Sequence, residues 1–211
     1  MRKALYCCPR SLIVAGLTMK TTNWLTDPRQ KELFEGTQGP SGSPDPFECW
    51  ILRQLAMDSN GRVLEIGSWR GRSACFLADG LQKIGGQPPI CVDWFQGDNT
   101  GGMQPDKAEM ERVLKKFGLQ ATIIDHDMLT MDWSIAKDVS LVFYDADHST
   151  KPTVEVLTKL HPFLQKDARI VLHDAGWSMT IAAAEELIQS GLYRPAVFIK
   201  VWQGLCLLQR N

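Results

Sequence analysis

Paired cysteines, long apolar runs and an excess of either charge are all missing from this 211-residue chain, and each absence removes a class of protein. The six cysteines, Cys7, Cys8, Cys49, Cys75, Cys91 and Cys206, form no C-x-x-C pair and no regular spacing. That argues against a structural zinc site or a disulfide framework, so reduced thiols in a cytoplasm are expected. No stretch approaches the ~20 consecutive apolar residues of a membrane span, and no membrane partner is expected. A net charge of −1 supplies no field to gather a polyanion, so nucleic acid is not expected either. The one basic cluster, Arg112 with Lys115 and Lys116, shares a helical pattern with Glu109 and Glu111 and reads as a solvated face. No internal repeat is visible. With 44% hydrophobic and 22% charged residues, the composition is that of an ordinary globular domain.

The sharpest change along the chain is the Gly- and Pro-rich run from Gly36 to Pro46, which forbids a continuous helix or central strand. It divides an N-terminal arm and linker, residues 1–45, from a domain spanning 46–211. Within the arm, Asp27-Pro28 followed by Arg29–Phe34 predicts a short capped helix. Pro9-Arg10 interrupts the apolar stretch near Ser11–Met19, so it does not make a clean secretory signal. Met19 is an alternative start, and residues 1–18 are expected to lie outside the folded core.

From Phe47 onward, apolar periods of about 3.6 alternate with short β-branched runs, the signature of βαβ units and a parallel sheet covered on both faces. Strands are predicted near 62–67, 89–93, 121–125, 139–145, 169–173, 194–202 and 204–209. Helices fall between them, the clearest over Arg70–Ile84 and Thr150–Leu164. The last two strands, joined around Gln203-Gly204, read as an antiparallel hairpin. The expected fold is therefore α/β and Rossmann-like, with a mostly parallel seven-stranded sheet, helices on both faces and a C-terminal antiparallel hairpin.

Two motifs carry chemistry. In the first, a buried strand runs through Glu65 into Gly67-Ser68 and Gly71, and then into a helix bearing Ser73. In open α/β sheets, ligands bind beyond the carboxyl ends of the strands. Gly67 and Gly71 permit a tight turn and a close backbone approach. A pyrophosphate loop would carry G-x-G-x-x-G, whereas Ser68 stands at the second glycine and Glu65 places an acid that repels phosphate. An acid there suits a ligand bearing an ammonium group and a sulfonium cation. In the second motif, Asp145, Asp147 and His148 end one strand while His173 and Asp174 end the next. Adjacent parallel strands would open both ends onto the face beside Gly67, where carboxylates and imidazoles can hold a divalent cation.

The first stretch resembles the first motif of class I SAM-dependent methyltransferases. Together, E-I-G-S-x-x-G-x-S, V-D-W-F-Q-G-D, D-A-D-H-S and V-L-H-D are similar, over roughly residues 47–190, to a bacterial and phage family of these enzymes. That family includes macrolide-sugar O-methyltransferases and cephalosporin-hydroxylase-like proteins. The resemblance implies S-adenosyl-L-methionine bound by Glu65, Gly67, Ser68, Gly71 and Ser73. Asp93 would accept from the ribose hydroxyls, Trp94 would stack on the adenine, and Asp127-Met128 would lie at the adenine. D-A-D-H also resembles the D-A-D-K segment of catechol- and caffeoyl-type O-methyltransferases. By position, Asp145 is then a metal ligand and His148 the base, while His173 and Asp174 fall on a later Asp-Asn metal pair. That departure leaves the metal, expected to be magnesium, open to iron or zinc.

The expected activity is metal-assisted O-methylation of a small hydroxylated acceptor such as a sugar, diol or catechol, with a homo-oligomer left open. A cation lowers the pKa of a hydroxyl it holds, and an imidazole of ordinary pKa ~6.5 can then take the proton. The alternatives are a ferrous-iron hydroxylase using His148, His173 and one carboxylate, a non-catalytic SAM-binding protein and a dinucleotide oxidoreductase. Acceptor choice is expected to reside in the arm and in a glycine-bearing lid over Gln96–Pro105.

Overall fold

The computed structural model describes residues 12–14, 17–19, 26–39, 43–97, 104–200 and 202–211. Most of residues 1–18 and the centre of the expected lid, 98–103, lie outside the described residues. In the arm, β1 (Leu12–Val14) and β2 (Leu17–Met19) pair antiparallel, a small hairpin the sequence did not suggest. Helix α1 (Pro28–Gly36) begins as expected, with Asp27 accepting from the Arg29 and Gln30 amides.

Helix α2 (Pro46–Met57) leads into the main sheet, built from β3 (Arg62–Ile66), β4 (Ile90–Asp93), β5 (Thr122–Asp125), β6 (Val139–Tyr144), β7 (Leu164–Leu172), β8 (Tyr193–Ile199) and β9 (Leu205–Arg210). Their spatial order is β5-β4-β3-β6-β7-β9-β8, and β3 to β7 run parallel. β9 runs antiparallel between β7 and β8, so the seven-stranded Rossmann-like sheet has the C-terminal hairpin read from its turn residues. Between the strands lie α3 (Arg72–Lys83), α4 (Lys107–Lys116), α5 (Thr150–Leu160) and α6 (Ser178–Gln189). One face of the sheet is covered by α2 and α3, whose Ile51, Leu55, Leu77 and Leu81 pack on Val63, Leu141 and Phe143. The other is covered by α5 and α6, through Val156, Leu160 and Leu187 against Leu64, Val142 and Ile170. Burial on both faces explains why these strands read as continuous apolar runs.

The sequence places β7 too late and α5 too long. Pro162 turns the chain in a short 3₁₀ segment, His161–Phe163, and Leu164 already pairs with Val139. The interval was hard to read because Asp167 takes a left-handed φ of 64° inside β7, breaking the two-residue alternation.

The Gly/Pro run does not detach the helix before it. Leu33 is fully buried, Arg29 Nε donates to Asp79 Oδ1 of α3 at 2.8 Å, and Arg53 of α2 bonds both Asp79 Oδ2 at 2.7 Å and Asp27 Oδ2 at 2.5 Å. Residue 45 therefore marks a change of composition, and α1 packs across it onto the domain.

Candidate active site

β3 leads on one side to β4 and β5 and on the other to β6 and β7, so the winding reverses between β3 and β6. Crevices at such reversals are where open α/β sheets take ligands. Just past the strand ends the backbone stays in step: Gly67 donates to Val92, Asp145 to Ile66 and His173 to Tyr144, at 2.9, 2.8 and 3.1 Å. Three non-glycine residues at this edge, Trp69, Phe95 and Asp174, have φ of 51–52°. For Trp and Phe that is a strained conformation, of the kind concentrated at ligand sites.

On the β3–β4 side, Gly67 has φ of 88°, and a Cβ on it would lie 2.1 Å from the Asp145 carbonyl oxygen. The close approach that requires glycine is thus to the neighbouring strand end. Gly71 caps α3 with φ of 85°. Asp93 Oδ2 accepts from the Ser68 and Trp69 amides, both at 2.8 Å, and Oδ1 accepts from the Phe95 amide at 2.7 Å. Oδ1 keeps a lone pair for a further donor. Glu65 is fully buried, Oε2 takes the Ser68 hydroxyl at 2.7 Å, and Oε1 has no partner among the described residues. Burial pushes its carboxyl up to about 7, against the pull of Ser73, Ser68 and Cys91 beside it. Ser73 is likewise buried, and Trp94 is half exposed at the end of β4. Asp127 sits past β5, where Oδ1 accepts from the Leu129 amide at 2.9 Å, and Met128 packs toward Tyr144. Glu65 thus keeps one buried carboxyl oxygen without a partner among the described residues, beside the left-handed Gly67 turn.

On the β6–β7 side, Asp145, His148, His173 and Asp174 converge, one donor atom from each lying within 4.8 Å of the others. His148 Nε2 is 2.7 Å from Asp174 Oδ2 and 3.4 Å from Asp145 Oδ1. His173 Nδ1 is 3.0 Å from Asp145 Oδ1 and 3.5 Å from Asp174 Oδ2. Asp174 Oδ1 is buried and has no hydrogen-bond partner among the described residues. Burial opposes charge on both imidazoles, but the carboxylates outweigh it, raising His148 to about 9 and His173 to about 12. Burial also opposes ionisation of the two acids, yet the histidines hold both carboxyls below the usual carboxylate range. The four residues do not cap α5, whose N-cap is Ser149 and whose start carries no side-chain cap hydrogen bond. Two carboxylates, an orphaned buried oxygen and imidazole nitrogens on one point form a donor set that fits a divalent cation.

A family model described as a methyltransferase domain matches residues 64–175, more than half of the chain and all the strand ends above. The chain belongs to this family. Solved structures agree on the fold. The SAH-bound methyltransferase PaMTH1 of Podospora anserina superposes with a TM-score of 0.68 at 14% identity, covering 90% of this chain and 93% of that one. The SAM complex of the O-methyltransferase TomG from Streptomyces achromogenes, involved in tomaymycin synthesis, gives 0.66 at 18% identity, covering 90% and 94%. The SAH complex of a Bacillus cereus O-methyltransferase gives 0.65 at 13% identity, covering 90% and 96%. No curated protein matches the methyltransferase, and none of its described helices is long and apolar enough to cross a membrane.

The sequence motifs missed two residues at this edge. Trp177 opens α6, and its half-exposed ring lies 5.2 Å from that of His148, tilted by 50°. Its place two residues past the V-L-H-D-A segment is the only clue to it. Glu48, fully buried in the first turn of α2, faces His173 Nε2 at 3.3 Å. Its one sequence signal, an Asp45-x-x-Glu48 capping box, points to a helix start.

Proposed function

We propose that the methyltransferase transfers a methyl group from S-adenosyl-L-methionine to a hydroxyl oxygen of a small acceptor, assisted by a divalent cation. The observation that carries this is the acid–histidine cluster at the β6 and β7 ends, one peptide away from the Gly67 turn. S-adenosylmethionine, when bound, supplies a methyl group on a sulfonium centre. Glu65, Gly67, Ser68, Gly71, Ser73 and Asp93 would hold it, with Trp94, Asp127 and Met128 toward the adenine. A divalent cation, with magnesium as first choice, would be held by Asp145, His173 and Asp174, and supplies Lewis acidity to an acceptor hydroxyl.

His148 is the proton acceptor. Asp174 takes its Nε2–H, which orients the ring and leaves Nδ1 as the basic atom. While Asp145 and Asp174 bear uncompensated charge they keep the imidazole protonated at neutral pH. Neutralising them returns it to the neutral form a base requires. The Trp177 face offers a flat apolar wall beside His148, suited to a sugar or catechol ring.

Calorimetry should show SAM or its demethylated product binding while NAD does not; tighter binding of NAD would sink the reading. A panel of sugar diols and catechols with labelled SAM then locates the acceptor. The presence of both histidines in the cluster keeps a ferrous-iron oxygenase as a second reading. Iron-dependent oxygen consumption without methyl transfer would favour it.

A further inference from the structure

Glu48 and His173 lie 125 residues apart, and neither side chain is exposed at all. A buried carboxylate is costly unless donors surround it, and Glu48 is held from three directions. Oε1 accepts from the Gly204 amide at 2.9 Å, in the turn before β9. Oε2 accepts from the Asp45 amide at 2.9 Å and faces His173 Nε2 at 3.3 Å. A capping box needs only the Asp45 contact; the other two tie the start of α2 to the end of β7 and to the β8–β9 turn. The opposite ring nitrogen, Nδ1, is the one that faces Asp145 and Asp174.

A histidine ligates through one nitrogen while the other donates its proton to a carboxylate or carbonyl, and that outer partner sets tautomer and ring plane. The same order, carboxylate then imidazole then acids with an orphaned oxygen, is present here. We infer that Glu48 is a positioning residue: it takes the Nε2–H of His173 and thereby presents Nδ1 as a donor to a cation held by Asp145 and Asp174. This rests on the cation reading of that cluster. Glu48 is fully buried and acts through His173. It also makes the site a mixed nitrogen and oxygen set, which admits transition-metal cations as well as magnesium.

The test uses the full chain with Mn²⁺ as probe, free ion being counted by its paramagnetic resonance signal. Glu48→Gln keeps the shape and an oxygen for the helix cap. It should weaken Mn²⁺ binding by ~10–100-fold, the usual cost of losing an outer carboxylate, with SAM affinity unchanged. In the Zn²⁺-loaded native chain, ¹⁵N spectra should show the proton of His173 on Nε2 and the metal on Nδ1. Mn²⁺ affinity within twofold of native in Glu48→Gln, or the reverse tautomer in the Zn²⁺ form, overturns the inference while leaving the cation site standing. A native chain that binds no Mn²⁺ overturns both. Should Glu48→Gln not fold, the tautomer in the native chain decides alone.

Discussion

The two halves of the crevice are prepared differently. Past β3 and β4 the polar groups are largely satisfied by their own loop, with Asp93 taking three backbone amides and Glu65 one hydroxyl. Past β6 and β7, side chains from separate segments face one another, and opposed charges hold them charged. The first half is a shaped backbone with few strong fields; the second is a concentrated field on little backbone. Cofactor binding should therefore be robust to single side-chain changes and sensitive to the turn, whereas turnover should depend steeply on individual side chains.

Removing the charges gives the largest expected effect. Asp145→Ala or Asp174→Ala should abolish metal-stimulated transfer yet leave SAM binding, followed by calorimetry, close to native; loss of SAM binding in either would erase the distinction between the halves. His148→Ala comes next. Cation and SAM should still bind while turnover falls by ~10²–10⁴-fold, as for loss of a general base. The deficit should shrink as pH rises and an ionised acceptor replaces the imidazole. Unchanged turnover would remove His148 from the chemistry, and loss of cation binding would make it a ligand.

Gly67→Val tests where the halves touch. A side chain there is strained at φ of 88° and meets the Asp145 carbonyl, so SAM and Mn²⁺ binding should fail together. The accompanying loss of stability should be about 3 kcal/mol. Failure of SAM binding alone would show the halves to be independent.

Glu65→Gln has the smallest expected effect, and its sign depends on pH. The Glu65 carboxyl is pushed from 4.5 to about 7 by burial, so the unfolded chain gives up this proton first as pH rises. Folding stability therefore falls between about pH 4.5 and 7 and stays reduced above. Gln carries no such penalty. The cofactor-free variant should match the native chain near pH 4 and be more stable at pH 8, by on the order of 3 kcal/mol in denaturant titrations. Equal stability at both would mean that Glu65 ionises freely.

The contrast also explains what could be read from residues alone. The β3–β4 half is nearly contiguous: Glu65, Gly67, Ser68, Gly71 and Ser73 fall within nine positions, and their types declare a turn and an acid. The β6–β7 half required strand adjacency to be inferred first, which the parallel pattern allowed for Asp145, His148, His173 and Asp174. Glu48 was out of reach, because nothing in a capping box says what lies over the helix start in three dimensions. Burial had a similar effect on Glu65, whose fully enclosed carboxyl a motif cannot distinguish from one lining an open cleft.

The contact between Gly67 and the Asp145 peptide has a thermodynamic consequence. The Asp145 amide donates to Ile66, the residue before Gly67, so a turn that shifts when the cofactor enters must carry Asp145 with it. If the proposed cation and SAM both bear on that peptide they are linked, and linkage is reciprocal. Whatever factor a cation contributed to the affinity for SAM, SAM would return to the affinity for the cation.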